Sequence, residues 1–280
     1  SSDVFENEYY VMGISYVNGV RINGAEDFEF TDNNLNVTTN RLDRTTPTYQ
    51  AIYVASSSGL IDGNNITMID TFTPAGKDVY IDAMVLIKDE DLTISNNNFN
   101  ISTTGGKEEA GSAYAIVAIE SDFSIIGNNI TTVSNGPNFA VYFPARMGPP
   151  CDVVIADNFM NVTGLATSAH DTGLVSGIEI QTGDVEISGN TIYTYSIGDY
   201  ADDKYLFGIS YAQDGADPEW EITDNTIYTE GKYAISLLSA DGAVITGNTL
   251  YAHELKGDEA VYIASGSGNT VEGNIPRVEI

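Results

Sequence analysis

The segment Ile125-Ile126-Gly127-Asn128-Asn129-Ile130 decides the fold, because variants of it recur along almost the whole chain. Each variant has alternating apolar residues, usually Gly or Asp, then an asparagine, one further residue and an apolar residue. Nine copies carry this asparagine, at Asn33, Asn64, Asn97, Asn128, Asn158, Asn190, Asn225, Asn248 and Asn274. An internal repeat of this length is typical of a solenoid, in which each repeat forms one turn.

The residues on both sides of each asparagine have the pattern of β-strands. Apolar residues alternate with a period of two, as in Val185-Glu186-Ile187 and Ile192-Tyr193-Thr194, and β-branched or aromatic residues dominate. Three such short strands per repeat can bury their inward side chains only by stacking on the next repeat. The sequence therefore predicts an all-β fold, a parallel β-helix of about nine coils with three short strands per coil.

The spacing of the nine asparagines predicts where the coils differ in length. Successive asparagines are 23 to 35 residues apart, and most of the variation follows the asparagine. One family of variable loops is predicted, at about residues 38–48, 70–80, 102–112, 133–138, 163–173, 195–205, 229–232 and 252–258. Asparagine tolerates the left-handed backbone of a sharp corner. We therefore expect the nine asparagines to form a structural ladder of stacked amides.

These repeats resemble the right-handed parallel β-helix repeats of polysaccharide lyases, glycosidases and many surface proteins. The Asn-Asn-Ile-Thr phrasing, as in 128–131, and the acidic composition resemble most the adhesin-like surface proteins of methanogenic archaea. The resemblance covers about residues 10 to 275 and implies a right-handed solenoid. The resemblance is specific for the fold and weak for an activity, because the same phrase occurs in enzymes and in non-enzymes. We expect residues 1–280 to form a single domain that is a segment of a larger surface protein.

The composition excludes several classes of partner. The 280 residues carry a formal net charge of −29, which repels nucleic acid, anionic membrane surfaces and polyuronates unless cations bridge the contact. Cys151 is the sole cysteine, so neither an internal disulfide nor a cysteine-based metal site is available. The longest apolar run, 113–119, is far shorter than the roughly 20 residues that span a bilayer. We expect no direct membrane insertion in this segment.

The strand that follows each asparagine predicts a candidate binding face. If the apolar residue after each asparagine points inward, the residues beside it point outward. This outward face changes from Asn and Thr in the first half to Tyr193, Tyr228 and Tyr251 in consecutive repeats. Stacked tyrosines suit the apolar faces of sugar rings, and neighbouring hydroxyl and amide groups suit sugar hydroxyls. The alternative is that the stack only stabilises the sheet.

A second strand of each repeat carries a small residue and predicts a second candidate face. The small residues are Gly13, Ala51, Ala83, Ala115, Ala140, Gly177, Gly208, Ala234 and Ala260. We expect them to point outward and to form the floor of a groove, with Tyr53 and Tyr142 as further candidate carbohydrate-binding residues. In β-helix enzymes a polysaccharide lies on such a floor, so the resemblance implies a possible groove here. The alternative is that the small residues give clearance to the variable loops.

Catalytic residues are not evident, and none is assigned. The basic residues Lys88, Arg146, Lys232 and Lys256 are scattered, whereas a lyase requires a base beside its substrate carboxylate. Glycoside hydrolysis requires two carboxylates at a defined separation. The chain offers carboxylates as sequence neighbours, at Glu26-Asp27, Asp89-Glu90-Asp91, Glu108-Glu109 and Asp202-Asp203. His170 and His253 both fall in variable loops, where a surface role is expected.

No cofactor is expected, and calcium is left open. Carboxylates and carbonyls of Asp199-Tyr200-Ala201-Asp202-Asp203 and Asp214-Gly215-Ala216-Asp217 suit a hard cation, although the EF-hand spacing is absent. Solvated turn acids are the alternative. Glycosylation sequons begin at Asn36, Asn65, Asn100, Asn129 and Asn161, all in the polar half of the first face.

These observations predict an extracellular, cell-surface, adhesin-like β-helix that binds glycans or partner cells without chemistry. Its expected partners are cell-surface glycans or surface proteins of another cell, and not nucleic acid. The alternative function is a polysaccharide lyase or glycoside hydrolase acting in a groove on the β-helix face. A third hypothesis is a structural spacer that holds another domain away from the cell.

Overall fold

The computed structural model describes residues 4–8, 16–39, 48–70, 79–103, 111–144, 151–165, 174–181, 183–197, 205–211, 219–253 and 255–276. Their strands form three sheets that are parallel apart from one antiparallel pair, 249–252 with 255–256. Consecutive strands of the chain fall in different sheets, and nearly every third strand returns to the same sheet. The chain therefore winds repeatedly about a single axis. The predicted all-β, parallel β-helix class is confirmed.

The strand bounds are as follows. Sheet 1, which contains the strands that follow the asparagines, comprises Val4–Glu8, Asn34–Thr39, Asn65–Asp70, Asn98–Thr103, Asn129–Ser134, Phe159–Leu165, Thr191–Ile197, Thr226–Thr229, Thr249–Ala252, Leu255–Lys256 and Ile275–Pro276. Sheet 2 comprises Tyr16–Asn23, Thr48–Ala55, Val79–Ile87, Gly111–Ile119, Asn138–Phe143, Val175–Ile180, Leu206–Tyr211, Tyr233–Leu237 and Val261–Ile263. Sheet 3 comprises Phe28–Thr31, Gly59–Asp62, Leu92–Ser95, Phe123–Ile126, Asp152–Ala156, Asp184–Ser188, Trp220–Thr223, Val244–Thr246 and Thr270–Glu272.

Helical structure is minor in the described part of the chain. A 3-10 turn, Gly257–Ala260, follows the antiparallel pair. Among the described residues, no helix is both long and apolar enough to cross a membrane. The variable loops connect sheet 1 to sheet 2. The predicted loop at 133–138 is a short connection between two strands, as is 229–232. The predicted loop at 252–258 contains the strand Leu255–Lys256 and the start of the 3-10 turn, and most residues of the other five loops lie outside the described ones.

The nine asparagines line the corner between sheet 3 and sheet 1 as one ladder. In each coil the backbone N–H and the side-chain Nδ2 of the asparagine donate to Oδ1 of the asparagine in the next coil. For Asn97 and Asn128 these distances are 2.9 and 3.0 Å. At the end of the ladder Asp258 replaces the next asparagine, because its Oδ1 accepts from Asn274 N at 3.1 Å and from Nδ2 at 2.7 Å.

The left-handed backbone at this corner belongs to the residue before the asparagine. The expectation that the asparagine itself adopts this conformation is wrong. Positive φ occurs at Asp32, Gly63, Asn96, Gly127, Asp157, Gly189, Asp224, Gly247 and Gly273. Gly, Asn and Asp are the residues that tolerate this region best. The asparagine occupies its position because its amide bridges two coils. The preceding Gly, Asp or Asn adopts the left-handed backbone of the turn.

The core fills the space between the three sheets. The residues that follow the asparagines in sheet 1, such as Ile66, Phe99 and Ile130, are fully buried. Ile52 from sheet 2 and Ile61 from sheet 3 are equally buried and meet them in the same cluster. Burying each such side chain contributes about 1.5–3 kcal/mol. The energy that holds the coils together is therefore distributed along the whole axis.

Gly13 lies outside the described residues, and the other small residues of the predicted series are buried. The expectation that they form an outward floor is therefore wrong. Ala51 and Ile52 are consecutive, yet both have no exposed surface and both belong to the core. The register pairs Gln50 with Asp82 and Ile52 with Met84 but leaves Ala51 out, so the alternation of in and out is interrupted there. A Cβ added to Gly177 would clash with Ile192 Cγ2, and one added to Gly208 would clash with Ile227 Cγ2.

Gly208→Ala is expected to lower the free energy of unfolding by about 1–3 kcal/mol, the usual cost of overpacking a core. The added methyl group would meet the Ile227 side chain and lie 2.8 Å from the carbonyl oxygen of Ala234. Urea denaturation measures the change. In an Ile227→Ala background the same substitution should cost less, because the contact with Ile227 Cγ2 is removed while the contact with the Ala234 carbonyl oxygen remains. An equal cost in both backgrounds would contradict the assigned contact.

Candidate functional site

The outer face of sheet 1 carries no charged residue from strand Asn34–Thr39 to strand Thr249–Ala252. Its outward residues are Asn34, Asn36, Thr38, Asn65, Thr67, Ile69, Asn98, Asn100, Ser102, Asn129, Thr131, Val133, Phe159, Asn161, Thr163, Thr191, Tyr193, Tyr195, Thr226, Tyr228, Thr249 and Tyr251. Each of them is exposed or partly exposed. We call this surface the uncharged track.

Tyrosines form a continuous stripe along the second half of the uncharged track. Tyr193, Tyr228 and Tyr251 occupy equivalent positions in consecutive strands. The rings of Tyr228 and Tyr251 stack with centroids 4.7 Å apart and planes 3° apart. Tyr193 lies 6.2 Å from Tyr228. Tyr195 bridges them, with its centroid 6.1 Å from Tyr193 and 5.6 Å from Tyr228.

Two residues that were not assigned from the sequence extend this tyrosine stripe at its ends. Phe159, which is 43% exposed, has its ring 5.8 Å from that of Tyr193. At the other end Lys256 Nζ lies 5.4 Å from the centroid of the Tyr251 ring, within cation–π distance. Tyr195 was also missed, although its spacing of two from Tyr193 places it on the same face and was available in the sequence.

Asparagine amides form a second, external ladder along the first half of the uncharged track. Asn65 Nδ2 donates to Asn34 Oδ1 at 2.9 Å. Asn98 Nδ2 donates to Asn65 Oδ1 at 3.4 Å, and Asn129 Nδ2 donates to Asn98 Oδ1 at 3.0 Å. These bonds run along the axis and fix the amides at the spacing of the strands. Each amide keeps further donor and acceptor capacity, because an amide offers two donors and two lone pairs.

The predicted sequon residues lie on the same half of the track. Asn36, Asn65, Asn100 and Asn129 are exposed, and Asn161 is half-buried. The Asn65 and Asn129 amides already take part in the external ladder. Glycosylation of these five residues stays a prediction.

Tyr53 and Tyr142 lie on sheet 2 and are separate from the tyrosine stripe. The guanidinium of Arg21 lies 5.1 Å from the centroid of the Tyr53 ring. Tyr142 stacks with Tyr114 at 5.5 Å and with Phe139 at 5.0 Å in a largely buried cluster. Two strands separate Tyr53 from Tyr142, so the structure does not bring them together.

Two buried carboxyl groups lie beside this aromatic cluster on the outer side of sheet 2. Burial raises the pKa of Asp82 from 3.8 to about 7, although a hydrogen bond from Gln50 opposes the shift. Burial also raises the pKa of Glu179, which accepts from Gln181 Nε2 at 2.8 Å and from Ser210 Oγ at 3.2 Å. Asp82 and Glu179 are three strand spacings apart and also out of register, because Glu179 is aligned with Val85 and not with Asp82. Their Cα atoms are therefore more than roughly 14 Å apart, which exceeds the separation of a glycosidase carboxylate pair.

The other carboxylate and histidine candidates do not assemble into a site. Asp89 is buried at a corner, where its carboxylate accepts from Ser57 N at 2.9 Å and from Ile87 N at 3.0 Å, and burial raises its pKa to about 6. These bonds give Asp89 a structural role. Glu26, Asp27 and His253 are exposed. The candidates His170, Glu108-Glu109 and Asp202-Asp203 lie outside the described residues.

Sheet 3 presents an acidic cleft of about 520 Å³ on its outer face. Its lining includes Asp152, Asp184, Glu186, Glu219 and Glu221. Within the described ranges, no group of three or more His, Cys, Asp or Glu side chains is arranged to hold a metal ion. The two loop segments considered for calcium, 199–203 and 214–217, lie outside those ranges.

No family model, curated protein or solved structure matches this chain. The fold and the candidate site therefore define its class by themselves: an acidic parallel β-helix protein with one uncharged, partly aromatic face. The resemblance to adhesin-like proteins of methanogenic archaea finds no support in these comparisons, and it enters the functional argument as a hypothesis.

Proposed function

We propose that this protein is a non-catalytic, adhesin-like β-helix of the cell surface that binds glycans of a partner cell through the tyrosine stripe. The stripe carries the proposal. Consecutive half-exposed tyrosines at the spacing of the strands offer a continuous apolar row, against which the C–H groups of a pyranose ring can pack. The proposal includes an extracellular location.

The surroundings of the tyrosine stripe support a binding role. Thr191, Thr226 and Thr249 flank the rings in register, so hydroxyl groups lie beside each apolar platform. Sugar-binding surfaces combine a stacking ring with a few polar groups that fix orientation. The rings also contact one another, which limits their side-chain motion before a ligand arrives and reduces the entropy lost on binding.

Tyr228→Ala is expected to weaken glycan binding at least about tenfold, because loss of a central aromatic anchor usually costs more than the 1.4 kcal/mol that corresponds to tenfold. Tyr228 contacts Tyr193, Tyr195 and Tyr251, so its removal interrupts the stripe. A glycan array read with labelled wild-type and variant protein measures the effect on each bound glycan.

Tyr233→Ala is the matched control. Tyr233 stacks on Tyr262 with centroids 4.8 Å apart, a geometry close to that of the Tyr228–Tyr251 pair, but it lies on sheet 2. This variant should keep the wild-type array pattern. Equal glycan binding by the wild type, Tyr228→Ala and Tyr233→Ala would exclude the tyrosine stripe as the binding site. No array signal for the wild type would favour the hypothesis of a structural spacer. Release of reducing or unsaturated ends from a bound glycan would instead favour the enzyme alternative.

A further inference from the structure

We infer that the glycan is an uncharged, extended polymer that lies along the solenoid axis on the whole uncharged track, with the tyrosine stripe as one half of its site. This inference rests on the proposed function and specifies its ligand class. It adds the external asparagine ladder to the binding surface and predicts that binding depends on the length and charge of the glycan.

The distribution of charge supports an uncharged ligand. The chain has 51 charged residues and a net charge of −29, yet the uncharged track carries none of them over eight consecutive strands. Sheet 3, built from the same repeats, exposes acidic residues such as Asp152, Asp184 and Glu221. An acidic glycan would be repelled by the net charge and would meet a single cation, Lys256, at the last strand of the track. A cationic ligand would be drawn to sheet 3.

The two halves of the track form one continuous surface. Asn161 lies in register between Thr131 of the polar half and Tyr193 of the tyrosine stripe. The Phe159 ring lies beside that of Tyr193, where the two halves of the track meet. One sugar residue of an extended glycan has a length similar to the strand spacing of about 4.8 Å. A glycan that runs along the axis therefore meets a similar pair of outward side chains at every sugar residue.

The polar half is preorganised to bind hydroxyl groups. The external ladder holds Asn34, Asn65, Asn98 and Asn129 in fixed orientations, so little side-chain entropy remains to be lost when a ligand binds. Each amide can still donate to or accept from a sugar hydroxyl. Neutral hydroxyl groups match neutral amides without the desolvation cost of burying a charge.

Charged residues mark both ends of the uncharged track. In sheet 1 the strand Val4–Glu8 pairs with Asn34–Thr39, and it places Glu6 and Glu8 at the register positions of Asn36 and Thr38. At the other end Lys256 lies over the Tyr251 ring. The eight strands between these ends span roughly 34 Å at the usual strand spacing. A glycan of about seven residues would fill that length.

The ligand class is tested by isothermal titration of the bacterially expressed chain with oligosaccharides of three and six residues. The panel contains β-1,4-linked gluco-, manno- and xylo-oligosaccharides and galacturonan oligomers of the same lengths. We expect at least one neutral series to bind, with the six-residue member at least about tenfold tighter than the three-residue member, and weaker binding of the galacturonan. Galacturonan binding as tight as the neutral series would overturn this inference and leave the proposed function standing. Binding of no oligomer together with a positive glycan array would overturn this inference alone, and together with a negative array it would overturn both.

Asn98→Asp tests the polar half directly. Asn98 is exposed in the external ladder, and the substitution adds a negative charge and removes the donor to Asn65. We expect the six-residue neutral ligand to bind about fivefold more weakly, within the usual range for a lost hydrogen bond, whereas the three-residue ligand keeps its affinity on the tyrosine stripe. Ser124→Asp, which adds the same charge to the outer face of sheet 3, should change neither value.

Three results would contradict the continuous track. An unchanged six-residue affinity in Asn98→Asp would exclude the polar half, and an equal loss in Ser124→Asp would indicate a general charge effect. The third result would come from light scattering. If the wild type is a dimer and Tyr228→Ala is a monomer, a second copy of the chain covers the track. Urea denaturation confirms that each variant remains folded during these measurements.

Discussion

Asn128→Ala is expected to lower the free energy of unfolding by about 4 kcal/mol, because several buried groups lose their partners together. The Oδ1 atom of Asn128 accepts from both the backbone N–H and the Nδ2 of Asn97, at 2.9 and 3.0 Å. Its Nδ2 donates to the carbonyl oxygen of Ile94 at 2.8 Å. Alanine leaves the Asn97 backbone N–H and one Asn97 Nδ2 hydrogen without an acceptor, although Nδ2 keeps its bond to the Ile61 carbonyl oxygen, and it removes the donor to Ile94. Each unsatisfied buried group costs about 1–3 kcal/mol.

Asn129→Ala is the control, since it makes the same change one residue further on. The Asn129 side chain is exposed and makes one ladder bond, to Asn98 Oδ1 at 3.0 Å. Water can replace that bond, so the expected loss is under about 1 kcal/mol. Urea denaturation followed by circular dichroism measures both variants. Similar losses for Asn128 and Asn129 would show that the buried ladder contributes no more than the exposed one.

Asp82→Asn is expected to stabilise the protein at pH 8 and to leave its stability unchanged at pH 3.5. The pKa of Asp82 is about 7 in the folded protein and 3.8 in the unfolded chain. The folded state therefore binds the proton more tightly, and the contribution of this group to stability is greatest below pH 3.8. It is lost as the pH rises toward 7, by a total of about 4 kcal/mol.

The measurement is the free energy of unfolding from urea titrations at pH 3.5, 5, 6.5 and 8. Asparagine keeps the shape of Asp82 and the acceptor for Gln50 but cannot ionise, so the difference between variant and wild type should grow with pH. Asp152→Asn makes the same change at an exposed residue of sheet 3, where solvent screens the charge, and should show a much smaller effect. A constant difference for Asp82→Asn across this range would contradict the assigned burial of its carboxylate.

The sequence predicts the coiled architecture because the repeat is local and is written nine times. Asn64 and Asn97 occupy the same place in successive phrases, and a stacked solenoid must align them. The inward direction of Ile66, Phe99 and Ile130 follows from the period of two in a regular strand. The stripe of Tyr193, Tyr228 and Tyr251 follows from the same rule.

The same rule fails where a strand is not regular. Ala51 and Ile52 both face the core, where the pairing register of sheet 2 skips Ala51. The predicted groove floor rested on strict alternation, and it is lost where the alternation is interrupted. Tyr142 is therefore part of a largely buried aromatic cluster with Tyr114 and Phe139 rather than the wall of an open groove.

What the sequence determined by itself is the winding, the ladder of amides and the uncharged, aromatic character of one face, because each of these repeats with a fixed period. Only the tertiary structure decided which outward residues are exposed and which are covered. Burial depends on what packs over a strand, and that comes from parts of the chain distant in sequence. For this reason Asp82 and Asp152, both aspartates on strands, have opposite environments, and the pKa of Asp82 follows from its environment.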